Sequence, residues 1–259
     1  FEANSWLSKV WVEPNPIFID TKRLDSIPSN LGREEYASFA GPTSAEPGAV
    51  GRIGQYLSEI RDQIDDARRD SLRRSQAADE KFAANLLKRS RKTVKQDLLF
   101  ARYARLSKFN DELSANGLST KSINVTLPSI TNPTERRILD LFLQDWEDKQ
   151  LPLRPIHSKL TALKSVINSK FIGKAIEFDT IGNLHFTAPD GAQVKVDQLS
   201  SGEQHLLALF TLLLFSAEFG SVVLIDEPEI SLHAAWKHAF ISDIEEVAAI
   251  ANLRVIFAT

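Results

Sequence analysis

Cysteine and methionine are both absent from the 259 residues. Without cysteine no internal disulfide can form, and zinc centres built on thiolates are excluded. The five histidines fall at no metal-ligand spacing. No apolar run approaches the roughly 20 residues needed to cross a bilayer, so no membrane-spanning helix is expected. No secretory leader and no internal repeat can be read. Together these absences fit a cytoplasmic chain. Phe1 is not an initiator, and with no methionine anywhere the chain is expected to be a piece of a longer protein, trimmed at both ends.

The rest of the composition, 43% hydrophobic and 25% charged, is that of an ordinary globular chain, long enough for one large domain or a domain with an insertion. Its charge is unevenly spread. Between Arg52 and Lys108 there are 15 basic and 8 acidic residues, whereas the remainder holds 16 and 26. This stretch lacks proline, and Tyr56, Ile60, Ile64, Leu86, Val94 and Leu98 recur at helical spacing. Two or more long helices, a hairpin or an arm, are predicted. Arg68, Arg69, Arg73 and Arg74 are candidates for contacts to nucleic-acid phosphates. The competing reading is a solvated helical face laced with ion pairs, such as Asp65 and Asp66 with Arg69. Aromatic residues are too sparse there for a base-stacking platform.

Elsewhere, Ile17-Phe18-Ile19-Asp20 reads as a short strand, and residues 38–54, rich in Gly, Pro and Ala, as a junction. Helices are predicted over Glu135–Trp146 and His157–Phe171, separated by Pro152 and Pro155 as breakers. From Ala175 to Val196 short alternating runs separated by Ile181-Gly182 and Asp190-Gly191 predict an antiparallel meander.

Chemistry concentrates after the meander. Ser200, Ser201 and Gly202 precede the helical pattern of Leu206, Leu207, Phe210, Leu213 and Leu214. A helix N-terminus offers free N–H groups and the positive end of a dipole, so it attracts phosphate. Ser200 with Glu203 three residues on is equally a capping box, and both readings can hold together. The continuous apolar run Val222-Val223-Leu224-Ile225 reads as a strand buried on both faces of a parallel sheet. It ends in Asp226 and Glu227, at the sheet edge where such folds gather ligands, and Pro228 stops it. Leu253–Thr259 reads as a second buried strand.

The run Leu199–Gln204 followed by Val222–Glu229 resembles the signature motif and Walker B strand of the ABC-type ATPases, the group of SMC-like, RecF-like and OLD-like (AAA_21-type) ATP-binding proteins. The resemblance is good over Ala175–Thr259, weak over Ile17–Arg23 and faint over Arg52–Asp148. It implies a P-loop NTPase (ABC-ATPase-like) α/β sheet with a small antiparallel meander and a long helical insertion. The implied divisions are 1–51, an incomplete N-terminal part and junction; 52–174, the helical lobe; and 175–259, the core. It implies ATP and Mg²⁺ as ligands: Asp226 holds the metal and Glu227 polarises the attacking water. Ser200, Ser201, Gly202 and Glu203 contact a nucleotide held by the other subunit of a homodimer. Ser231 and His233 fall where the family has its interface D-loop. Ser201 replaces one usual glycine, and Glu203 the usual glutamine.

No Gly-x-x-x-x-Gly-Lys-Ser/Thr loop occurs in the chain. It is expected upstream of Phe1, and the chain alone is expected to be inactive. The resemblance implies Mg²⁺-dependent ATP hydrolysis driving a DNA-linked process, repair or phage defence. The alternatives are an OLD-type protein with a Toprim nuclease beyond Thr259, a transporter motor, and a non-catalytic docking subunit. A nuclease partner and DNA therefore stand beside the homodimer as expected partners, and no membrane.

Overall fold

The computed structural model describes residues 16–20, 49–88, 94–119, 132–226 and 234–258. In chain order these form β1 (Ile17–Asp20), α1 (Ala49–Lys88), α2 (Gln96–Ala115), α3 (Pro133–Gln150), α4 (Leu153–Lys170), β2 (Ala175–Phe178), β3 (Leu184–Thr187), β4 (Gln193–Val194), α5 (Ser201–Thr211), β5 (Val222–Asp226), α6 (Ala234–Ala251) and β6 (Arg254–Ala258). The fold is α/β, and no described helix is long and apolar enough to cross a membrane. Two compact units are present: residues 1–59, 162–176 and 186–259 make one, residues 60–161 and 177–185 the other.

The first unit carries a parallel sheet of order β1-β5-β6. Its register pairs Ile19 with Ile225 and Phe257, and Asp20 with Asp226 and Ala258. The β-branched run Val222–Ile225 forms the central strand as expected, but burial on both faces is not found. Val223, Ile225 and Ile19 are buried, whereas across the opposite face Phe18 is 60% exposed, Leu224 half-buried and Ile256 54% exposed. Side chains alternate faces along a strand, so one face joins the core and the other does not. For the same reason β6, expected to be buried, alternates between exposed and half-buried residues.

The meander forms as a second sheet of order β2-β3-β4, antiparallel between β3 and β4. Gly182 and Gly191 turn its corners at φ 94° and 83°. Its last strand is shorter than the sequence suggests: after Val194 the chain enters a single 3₁₀ turn, Val196–Gln198. Helix α4 also begins earlier than expected. Pro155 lies in its first turn, where a missing N–H costs nothing, so it initiates this helix instead of breaking the preceding one.

In the second unit Leu99, Leu106 and Leu113, spaced by seven, form the buried stripe of α2. Leu99 and Leu106 pack with Leu143 and Trp146 of α3. Leu98, expected on the apolar face, is 61% exposed and Leu99 takes its place. Asn132 and Glu135 close a reciprocal capping box on α3, with Pro133 leading the helix. Between the helices the Arg102 guanidinium donates to Glu147 Oε2 at 2.6 and 3.1 Å and to Asp140 Oδ1 at 3.2 Å. The Arg102 hydrogen bond is the largest influence on the Glu147 carboxyl and holds it below the usual glutamate range.

Candidate functional site

Helix α5 starts at Ser200 because of a reciprocal cap. Ser200 Oγ accepts the Glu203 N–H at 3.3 Å, and Glu203 Oε2 accepts the Ser200 N–H at 2.8 Å. The Ser200 hydroxyl also donates to Glu203 Oε2 at 3.0 Å. Gln204 Nε2 fastens the helix to the preceding turn through the carbonyls of Leu199 and Val196, at 3.1 and 3.2 Å. Leu206, Leu207, Leu209 and Phe210 are buried, so the helix is anchored by its apolar body and leaves its N-terminus to polar chemistry. It runs on into a π-type turn, Leu212–Ser216, and Ser216 Oγ donates to Glu59.

This cap uses the Ser200 hydroxyl twice, once as donor and once as acceptor. The N–H groups of Ser201 and Gly202 have no acceptor among the described residues. They are the orphan donors of the first turn and point out of the positive end of the helix. A Cβ added at Gly202 would lie 3.7 Å from Trp236, an ordinary contact. Packing among the described residues therefore does not demand glycine at this position.

Glu203 is 8% exposed and has a partner that the sequence reading missed. Lys174, in the turn before β2, reaches both its carboxylate oxygens at 2.7 and 2.9 Å. Burial by itself pushes the Glu203 carboxyl up. The hydrogen bonds from Lys174 and Ser200, with the lysine charge, outweigh it and hold the group below its usual range. Twenty-nine residues separate the pair, and no local pattern announces it.

Asp226 ends β5, half-buried at the C-terminal edge of the parallel sheet. Register sets Asp20 of β1 directly beside it, a neighbour the sequence reading treated only as the end of a strand. A carboxylate at this edge supplies the hard oxygen donor that Mg²⁺ prefers. No group of three or more metal-ligating side chains occurs among the described residues. Glu227, Ser231 and His233 lie outside the described residues.

The four candidate arginines on α1 are not equivalent. Arg68 donates to the backbone carbonyls of Thr180 at 2.8 Å and Ile181 at 3.2 Å, and also to that of Gly117. Arg69 pairs with Asp66, and Arg73 with Asp70 at 2.8 Å. Arg74 is exposed, with no ion-pair partner among the described residues.

No curated protein matches the chain. Residues 31–259 match the AAA_21 family, described as an AbiEii toxin-like AAA domain of the type IV toxin–antitoxin systems. The match runs through the helical stretch, where the motif resemblance is faint. An AAA domain is a P-loop NTPase, a class that binds ATP with Mg²⁺ and hydrolyses it. The chain belongs to the AAA_21 family of AAA domains.

Proposed function

We propose that this chain supplies the signature and Walker B parts of a composite ATP-hydrolysing site shared by two copies in a head-to-tail homodimer. The observation that carries this reading is the capped N-terminus of α5: two backbone donors, from Ser201 and Gly202, stand free beside a serine already bound into its own helix. Such a turn is suited to an anion arriving from outside, and the γ-phosphate of ATP held by the second copy is the anion that fits the family.

Asp226 would hold Mg²⁺ at the sheet edge, and the metal would offset the charge that builds on the transferring phosphoryl group. Glu227 follows Asp226 directly and would orient the attacking water on the nucleotide of its own copy. Ser201 and Gly202 N–H groups would close the site from the other copy. The phosphate loop completing each half would come from residues outside this chain. The room at Gly202 supports the same reading, because a glycine that the described residues around it do not require suits a surface that something must approach closely.

The test is ATP turnover by the full-length protein beside two variants. Glu227→Gln is expected to lower kcat by about 10²-fold or more and to trap ATP-dependent dimers. Gly202→Ala is expected to lower turnover while leaving thermal stability unchanged. Wild-type turnover in both variants would reject the composite site. A full-length protein that never hydrolyses ATP would favour the docking-subunit reading.

A further inference from the structure

We propose that Lys174 is a positioning residue of the signature turn, neutralising Glu203 so that an anion can approach the N-terminus of α5. This rests on the composite-site reading and names a residue that the motif does not contain.

A helix N-terminus favours one negative charge. Here that charge is already supplied from within, because Glu203 occupies the third position of α5 and accepts both the N–H and the hydroxyl of Ser200. A phosphate arriving at the Ser201 and Gly202 N–H groups would meet this carboxylate within the same turn. Like charges that close repel, most strongly where water is scarce, and Glu203 is buried. Lys174 answers this, binding both carboxylate oxygens at 2.7 and 2.9 Å. The side chain of Lys174 is 23% exposed and that of Glu203 11%, so bulk solvent screens the pair only partly. The turn then carries a nearly neutral cap and keeps its two free donors.

The lysine also fixes geometry. Glu203 is held from both sides, by Lys174 and by Ser200, so the carboxylate cannot rotate out and release the serine. Lys174 thereby acts on the phosphate through Glu203 and Ser200, not by touching it.

The experiment is a mutant cycle in the full-length protein, with steady-state ATP turnover, ATP-dependent dimerisation and thermal melting read together. Lys174→Ala is expected to lower kcat/KM for ATP by about tenfold or more. Lys174→Arg, which keeps the charge, retains most of the activity. Adding Glu203→Gln to Lys174→Ala removes the stranded carboxylate and recovers most of the loss. Full activity in Lys174→Ala, or a loss that Glu203→Gln fails to recover and that tracks a fall in melting temperature, overturns the proposal and leaves Lys174 a structural pair. Ser200→Gly and Gly202→Ala distinguish the two levels. If they abolish turnover while Lys174→Ala does not, only this inference fails. If neither they nor Lys174→Ala change turnover or dimerisation, the composite site itself fails.

Discussion

Arg68 shows how identical residues on one helix come to different work. In sequence it is one of four arginines, at positions 68, 69, 73 and 74, with acids three residues before three of them. In the fold its guanidinium is spent on the carbonyls of Gly117, Thr180 and Ile181, more than a hundred residues away for the last two. Gly117 is part of the same arrangement: at φ 69° its backbone approaches so closely that a Cβ would lie 2.2 Å from the carbonyl oxygen of Asp179. Arg68→Ala removes these hydrogen bonds, two of them exposed to water, and is expected to cost about 1 kcal/mol, measurable by urea unfolding, whereas Arg74→Ala is expected to be neutral. Equal stability of the two variants would refute the assignment. Nothing within a few residues of Arg68 could have announced this, because its partners are loop carbonyls brought near only by the fold.

The elements divide by whether their determinants are local. The start of α5 was legible, since Ser200 and Glu203 sit three apart and the cap they make is closed within one turn. So were β5, from its β-branched run, and the meander, from Gly182 and Gly191. Lys174 was not, because it lies across the meander from Glu203. The burial of β6 was misread for a related reason: an apolar strand reads the same whether or not something covers its second face. The Glu203 pairing has a consequence with a definite sign. Its carboxyl is held below the usual range in the folded chain, so its ionised form adds stability that is complete above that range. The contribution is lost as pH falls through the usual range to the lower folded value. Melting temperature should therefore fall below about pH 5 more steeply for the wild type than for Glu203→Gln. Parallel curves would show that the pair contributes nothing to the fold.

At the scale of the molecule, the excess of positive charge along Arg52–Lys108 turns out to be a poor measure of what is free to bind. Arg68 and Arg102 are held by their own unit, and Arg69 and Arg73 each face an acid one turn before. Binding to a phosphate backbone by Arg69 or Arg73 would first have to break an exposed ion pair, a modest cost because solvent and salt already screen it. Arg74 has no such pair to break among the described residues. Each phosphate neutralised contributes about 0.9 to the slope of log affinity against log salt. If the helical unit engages duplex DNA through this face, Arg74→Ala alone should reduce that slope by about one. Adding Arg69→Ala and Arg73→Ala should reduce it by about two more, with folding intact because none of the three is buried. Replacing Arg68 as well should add loss of stability rather than loss of slope. A titration across salt concentrations separates these outcomes. An affinity and slope untouched by the triple variant would remove this face of α1 from any DNA-linked role and leave its charges as the solvated, ion-paired surface that their spacing also describes.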